Sequence, residues 1–320
     1  MKVIFDCYGA DLGPEVMIQG ASDYAANHQL TSLFIGDEKV IHKEISKYPL
    51  KDYEVIHTDT FIENTEEPTK ALRKKKDSSL VMALKLLKEK KADAVLSCGS
   101  TGALLAGGLF IIGRKEGIQR ACLPVPIPKL QGRVCLLDAG ANVDCSPEII
   151  RSFAHMGNSY TNKVFDVEKP KVYLLNIGAE EGKGNSQTKE SFKLLTQDKT
   201  LEFMGNLEAR NVLMSDADVL VCDGFVGNIF LKTLEGFGEF LSLSLRKQAG
   251  DSLAQMGKSP AGQALAKIKN LFDYKEIGAV PLLGIQELVF KAHGSSDAKA
   301  IYSSLIQIGQ ALNKNLVEEI

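Results

Sequence analysis

The sequence predicts an α/β fold, in which a mainly parallel β-sheet carries helices on both faces. Short apolar segments typical of buried strands, at residues 2–6, 32–36 and 53–58, alternate with longer helical segments. Such alternation is typical of parallel strands that are joined by crossover helices. In sheets of this kind ligands bind at the carboxyl ends of the strands, so the loops that follow strands are the candidate functional segments.

The predicted elements continue in order along the whole chain. Pro14 suits the first turn of a helix that extends to about residue 27. Further helices are expected up to residue 90 and from Ala103, Pro147, Ile229 and Asp297. Further strands are expected at 94–97, 133–138, 171–177, 203–208, 219–222 and 288–290, with a proline-spaced extended segment at 122–128. A chain of 320 residues is long enough to bury a large core. We expect residues 1–320 to form a single catalytic α/β domain, built either as one body or as two lobes.

The most informative loop follows the predicted buried strand at residues 94–97. Its sequence, Gly99-Ser100-Thr101-Gly102, is a tight turn with two hydroxyl groups ahead of a helix, and backbone N–H groups at a helix N-terminus bind anions. The segments ADAVLSCGSTG at 92–102 and ADVLVCDGFVG at 217–227 share one spacing: an Ala-Asp pair, five residues, a glycine, two residues and a second glycine. These repeats predict either two anion-binding loops on one edge of a sheet or two ordinary strand–helix turns.

The composition excludes several classes of protein. A net charge of −2 gives no general basis for nucleic acid binding, so we expect no nucleic acid partner. The longest apolar run, residues 103–112, is far shorter than the roughly 20 residues that a membrane span needs. Six cysteines without a Cys-x-x-Cys pair predict small buried thiols in a reducing cytoplasm, and no metal-binding pattern is present in the sequence.

Two segments concentrate positive charge. Residues 70–76 carry five cations, which indicates either a solvated turn or a contact site for a phosphate or an acidic partner. The loop GAEEGKGN at 178–185 places Lys183 and Asn185 among glycines. It is not a Walker A loop, because three residues rather than four separate its first glycine from the Gly-Lys pair. A lysine in such a loop is either a point charge for an oxyanion or part of a mobile surface loop.

Residues 237–275 are predicted to form an amphipathic helical hairpin. Phe237, Phe240, Leu241 and Leu245 share one stripe, and a break at Pro260 precedes a second helix at residues 261–272 with Lys267 and Lys269 on its other faces. Such a hairpin suits a dimer arm, a groove for an acidic partner or a membrane-surface patch, and ordinary core packing is the alternative.

Seven segments, in order along essentially the whole chain, resemble one family: the bacterial acyl-ACP:phosphate acyltransferases of phospholipid synthesis (PlsX family). They are ALRKKKDSS (71–79), LLDAGANVDC (136–145), LLNIGAEEGKGN (174–185), FMGNLE (203–208), VCDGFVGNIFLK (221–232), PLLG (281–284) and KAHGSSDAK (291–299). The chain departs from the family at Cys7-Tyr8-Gly9-Ala10, where Met and a Gly pair are usual. It departs again at Ser100, which replaces an Asn and so keeps a hydrogen-bonding group without its amide.

The resemblance implies a fold similar to that of phosphotransacetylases and isocitrate dehydrogenases: a three-layer sandwich with a mostly parallel mixed sheet. It also implies a cytoplasmic homodimer that transfers a fatty acyl group from acyl carrier protein to inorganic phosphate, with peripheral membrane contact through the hairpin. The acyl phosphate product would be used by a membrane glycerol-3-phosphate acyltransferase.

This reaction needs preorganised donors for phosphate and for the oxyanion, and neither a cofactor nor a metal. We expect Lys183 and Asn228 to act at the reacting centre, and Asp223 to orient Lys183. The predicted phosphate-binding residues are Ser100, Thr101, Gly102, Asn142, Asn185 and Gly227 together with Asp223. The basic residues predicted to bind the acidic carrier protein are Arg73, Lys74, Lys75, Lys267 and Lys269.

Two other classes of protein stay open on the sequence alone. A dehydrogenase of the related fold would need a nicotinamide site and a divalent metal, for which the available carboxylates are Asp138, Asp144, Asp216, Asp218 and Asp223. A non-catalytic protein that binds the carrier or a membrane would show binding without turnover.

Overall fold

The computed structural model describes residues 1–249 and 278–319. In this part of the chain the strands form two sheets, of six and five strands. The first contains β1 (Lys2–Asp6), β2 (Thr31–Gly36), β3 (Tyr53–His57), β4 (Ala94–Ser97), β10 (Ala279–Pro281) and β11 (Leu288–Ala292), and the second contains β5 (Val125–Pro128), β6 (Arg133–Leu137), β7 (Lys171–Asn176), β8 (Glu202–Glu208) and β9 (Val219–Val221).

Both sheets are mostly parallel, as the sequence predicts. The first has the order β10-β11-β4-β1-β2-β3 and the second β5-β6-β9-β7-β8; only the outer strands β10 and β5 run antiparallel to their neighbours. The predicted fold class is confirmed, and the strands are divided between two sheets, the first of which is completed when the chain returns through β10 and β11 and pairs β11 with β4. Strand periodicity does not encode which strands pair.

The helices lie close to their predicted positions. They are α1 (Glu15–Ala25), α2 (Glu38–Ile45), α3 (Pro68–Lys74), α4 (Ser79–Lys88), α5 (Thr101–Gly107), α6 (Pro147–Phe165), α7 (Ser186–Gln197), α8 (Gly224–Ala249), α9 (Ala298–Asn313) and α10 (Leu316–Glu319). A π-helical turn at Gly108–Ile112 continues α5, and a 3₁₀ turn spans Ala209–Met214. Ser146 caps α6 and Asp297 caps α9 through their side chains, as expected of these residue types.

One buried cluster joins the two sheets. It contains Phe5 of β1, Leu137 of β6, Phe153 of α6 and Ile301 of α9, each at most 1% exposed. All six cysteines are buried, as predicted, and burial raises the pKa of the Cys98 and Cys145 thiols to about 12. Such thiols stay protonated at neutral pH and act as small apolar groups.

The predicted hairpin falls only partly within the described residues. Its first half is the end of α8, where Phe237, Phe240 and Leu243 are exposed. Its second half, with Lys267 and Lys269, lies outside residues 1–249 and 278–319. Among the described helices, none combines the length and hydropathy that crossing a membrane requires.

Candidate active site

The loops at the carboxyl ends of the strands form two groups. The first group follows β1, β4 and β11 of the six-stranded sheet, and the second follows β6, β7 and β9 of the five-stranded sheet. The repeated segments of the sequence supply one loop to each group. In both repeats the aspartate before the strand, Asp93 or Asp218, accepts the backbone N–H of a lysine that begins a neighbouring strand. The repetition therefore reflects two strand–loop–helix units of similar construction.

The turn at residues 99–102 begins α5. The Ser100 hydroxyl accepts the backbone N–H of Ala103 at 3.4 Å, so Ser100 is the N-cap of the helix. A Cβ atom on Gly102 would stand 2.7 Å from the Pro68 side chain, and one on Gly9 would collide with the Cα of Gly99. Close backbone packing therefore fixes this turn, while Thr101 remains exposed.

A buried polar row lies beneath this turn. The strand register places Asp6, Ser97 and Lys291 side by side on β1, β4 and β11. The Asp6 carboxylate, 2% exposed, accepts the hydroxyls of Ser97 and Ser79 at 2.7 and 2.6 Å. The Lys291 ammonium donates to the carbonyl of Cys98 at 3.1 Å and also to that of Ala292. A partly buried cation thus holds the loop that carries Ser100.

Burying the charges of Asp6 and Lys291 is unfavourable, and it shifts the pKa of both groups. Burial raises the pKa of Asp6, while the hydroxyls of Ser79 and Ser97 act in the opposite direction. Burial also lowers the pKa of Lys291. Sequence reasoning missed both residues, although Asp6 ends a predicted strand and Lys291 begins the segment KAHGSSDAK.

Asp138 organises the second group of loops. Its carboxylate oxygen Oδ2 accepts the backbone N–H of Asn142 at 2.5 Å and the side-chain amide of Asn142 at 3.1 Å. The carbonyl of Asn142 accepts the backbone N–H of Gly224 at 2.7 Å, which ties this loop to the start of α8. Burial raises the pKa of Asp138, and the hydrogen bonds from Asn142 oppose that rise.

Asn228 lies in the first turn of α8, beside the Asp138 loop. A Cβ atom on Gly140 would stand 3.3 Å from the Asn228 side chain. Asn228 is exposed, so its amide is accessible to a ligand. The structure therefore brings together Asn142, Gly227 and Asn228, three of the residues that the sequence singled out.

Lys183 and Asp223 do not form the predicted pair in the described residues. The Asp223 carboxylate instead accepts the backbone N–H of Val226 at 2.8 Å and caps α8. Asn176 donates to the carbonyl of Lys183 at 3.2 Å, while the exposed Lys183 ammonium has no ion-pair partner in residues 1–249 and 278–319. Asn185 caps α7 through the N–H of Thr188 at 2.9 Å. The loop backbone is anchored and its cation can reach a ligand.

His293 connects the two groups of loops electrostatically. Burial and the positive charges of Lys291 and Lys232 lower its pKa. Lys232 lies one turn beyond Asn228 on α8, so the buried row of the first sheet and the helix of the second group act on one imidazole.

The predicted carrier-binding cations differ in their surroundings. Arg73 and Lys74 are exposed at the end of α3. Lys75 is tethered, because it pairs with Glu66 at 2.6 Å and donates to the carbonyl of Phe61 at 2.9 Å. Arg73 and Lys74 face solvent at the helix end, and Lys70 and Lys76 of the same run are also exposed.

The carboxylates required by a metal-dependent dehydrogenase do not converge. Asp216 pairs with Lys171 at 2.7 Å, and Asp218 holds a strand N–H. In the part of the chain that the structure describes, no group of three His, Cys, Asp or Glu residues is arranged to hold a metal ion.

Comparison with known proteins identifies the family. The family model described as "Fatty acid synthesis protein" matches residues 1–319. A phosphate acyltransferase of Clostridioides difficile (strain 630) is 44% identical over 324 residues, covering 100% of this chain and 95% of the relative. Another, from Moorella thermoacetica, is 42% identical over 319 residues, covering 99% of this chain and 94% of the relative.

Solved structures share the fold of this chain. A phosphotransacetylase from Streptococcus pyogenes matches with a TM-score of 0.64 at 20% identity, covering 98% of this chain and 94% of the other. A branched-chain phosphotransacylase from Enterococcus faecalis V583 matches with a TM-score of 0.59 at 13% identity, covering 100% of both chains. At these identities the structural likeness shows the fold alone. The full-length sequence matches show that the chain belongs to the phosphate acyltransferase family and is an acyltransferase.

Proposed function

We propose that the protein transfers a fatty acyl group from acyl carrier protein to inorganic phosphate and forms an acyl phosphate for phospholipid synthesis. The observation that supports this most directly is that the loops after the parallel strands carry two groups of donors. The first group supplies hydroxyls and a partly buried cation, and the second supplies exposed amide and ammonium donors. Membership of the phosphate acyltransferase family supports the choice of reaction.

The reaction joins a phosphate oxygen to the carbonyl carbon of the thioester. The carbonyl oxygen becomes an oxyanion, the carbon–sulfur bond then breaks, and the thiolate leaves and takes up a proton. Neither step changes an oxidation state. The protein must therefore bind a multiply charged nucleophile and stabilise the oxyanion, and fixed donors serve both needs.

We assign the donors by position. Lys183 neutralises phosphate or the developing negative charge, and Asn228 orients phosphate or donates to the oxyanion. Ser100, Thr101 and the N–H of Gly102 bind phosphate. Asn185 is a secondary donor, and Asn142 and Gly227 contribute by fixing the loop after β6 and the start of α8. Asp223 contributes by fixing α8, since its carboxylate is the cap of that helix.

The partners follow from charge and exposure. Arg73 and Lys74 present two solvent-exposed cations to an acidic carrier protein. The exposed row of Phe237, Phe240 and Leu243 on α8 suits peripheral contact of a cytoplasmic homodimer with a membrane. A product made there can pass to a membrane glycerol-3-phosphate acyltransferase.

Release of free thiol from palmitoyl–acyl carrier protein, measured with and without inorganic phosphate, tests this function. Phosphate-dependent release supports the proposal. Release only from palmitoyl–coenzyme A would reject the carrier protein as donor. Binding of the carrier protein without release would indicate a non-catalytic binding protein.

A further inference from the structure

A cavity of about 170 Å³ lies among α6, α9 and the outer strands of the two sheets. Arg133, the first residue of β6, lines it, whereas the candidate active-site loops begin after the last residue of β6. The intervening strand is roughly 13 Å long. The cavity therefore lies apart from the loops to which the reaction is assigned.

The walls of this cavity are largely apolar. Pro126 of β5, Val164 of α6, Phe290 of β11 and Leu316 of α10 contribute to them. The volume is more than ten times the roughly 15 Å³ that one water molecule needs. The cavity thus has room for an organic group with an aliphatic part.

Two hydrogen-bond donors in the cavity lack partners in the described residues. The Tyr160 side chain lines the cavity and the residue is only 6% exposed, yet its hydroxyl makes no hydrogen bond within residues 1–249 and 278–319. Arg133 is exposed at the cavity and forms no ion pair with the described residues. Both side chains line the same cavity, and the positive charge of Arg133 acts on the Tyr160 hydroxyl.

The charge balance selects the kind of anion. Lys314 also lines the cavity, but its ammonium is paired with Asp166 at 2.8 Å. One unpaired guanidinium remains, and its planar fork matches a carboxylate. A carboxylate can accept from both the Tyr160 hydroxyl and the Arg133 guanidinium.

We propose that this cavity is a binding site for a carboxylate with a short aliphatic tail. Arg133 and Tyr160 donate to the carboxylate, and the apolar walls surround the tail. The site uses none of the residues assigned to acyl transfer, so it does not depend on the proposed function.

Calorimetric titration of the full chain with octanoate tests this site. We expect saturable binding that Arg133→Met and Tyr160→Phe weaken, Arg133→Met on the order of ten- to a hundred-fold because a charge-assisted hydrogen bond is lost. Arg151→Met is the matched control, since Arg151 is exposed on α6 outside the cavity lining, and it should leave the affinity unchanged. Acetate, which has no tail, and 1-octanol, which has no charge, should both bind more weakly.

Three results would overturn the proposal. The first is no saturable octanoate binding to the wild type at millimolar concentration. The second is equal octanoate affinity in the wild type and in a folded Arg133→Met variant, with folding checked by circular dichroism. The third is tighter binding of octyl phosphate than of octanoate, which would assign the site to a different anion.

Discussion

The backbone carbonyl oxygen of Asp138 lies against the Cα of Gly227, in the space that a Cβ atom on Gly227 would occupy. This contact packs the loop after β6 onto the first turn of α8, next to Asn228. Together with the hydrogen bond from Gly224 to Asn142, it sets where the amide of Asn228 lies. The position of one proposed catalytic group therefore depends on a glycine at residue 227.

Substitution of Gly227 by alanine tests this packing. The new methyl group must displace the Asp138 carbonyl, so we expect Gly227→Ala to destabilise the fold by about 1–3 kcal/mol and to lower turnover. Gly236→Ala is the matched control, because Gly236 lies on the same helix with open space around its Cα. That change should be neutral or stabilising by roughly 0.5–1 kcal/mol. Equal effects of the two substitutions on urea denaturation would contradict the account.

Lys291 is expected to act on phosphate binding through the loop that it holds. Lys291→Met leaves the Cys98 carbonyl without its donor and removes a cation beneath Ser100, so the KM for phosphate should rise on the order of tenfold or more, with a smaller change in kcat. Lys2→Met, at the opposite end of the same sheet, is the control. An unchanged KM for phosphate in a folded Lys291→Met variant would show that this lysine is only structural.

The pH dependence of stability should report the burial of Asp138. Because burial holds its pKa above 3.8, the folded protein keeps a proton that the unfolded chain loses as the pH rises. The stabilisation is therefore present at low pH and is lost as the pH rises through the folded-state pKa. Asp138→Asn cannot ionise, so its stability relative to the wild type should improve between about pH 4 and about pH 7.

Urea denaturation of both proteins at the two pH values measures this difference. The asparagine keeps an acceptor for the N–H of Asn142, and Asp6 titrates equally in both proteins. A difference in unfolding free energy that stays constant with pH would mean that Asp138 is ionised in the folded protein without cost.

The exposed end of α3 should govern encounter with the carrier protein. Arg73→Glu with Lys74→Glu reverses two exposed charges, so association should slow on the order of tenfold at low salt and its salt dependence should become shallower. Lys39→Glu with Lys43→Glu makes the same change in net charge on α2 and serves as control. Stopped-flow association rates that fall equally in both double variants would indicate a net-charge effect rather than a binding site.

The sequence predicts local elements well and long-range pairing poorly. The strand at Ala94–Ser97 and the helix beginning at Pro147 follow from apolar periodicity and from proline, which act locally. The strand order of the first sheet depends on the pairing of β11 with β4, which lies nearly two hundred residues earlier, and no local pattern specifies that contact.

The site follows the same rule. The glycine-rich loops at 99–102 and 223–228 were predictable, because the conformation of a turn depends on residues that are adjacent in the sequence. The row of Asp6, Ser97 and Lys291 was not, because three distant strands bring it together through their register. The predicted contact of Asp223 with Lys183 gave way to helix capping, a local interaction that an aspartate before a helix commonly makes.

If the two loop groups catalyse acyl transfer to phosphate, the protein must form an acyl phosphate. Detection of that product is the most direct test. We would incubate the protein with palmitoyl–acyl carrier protein and ¹⁸O-labelled phosphate and follow ³¹P NMR. We expect an acyl phosphate signal from the wild type and from the control variant Lys189→Ala. We expect the rate of acyl phosphate formation to be about 10²–10³-fold lower in Lys183→Ala and in Asn228→Ala. Thiol release without a labelled acyl phosphate, or near-full rates in both folded variants, would contradict it.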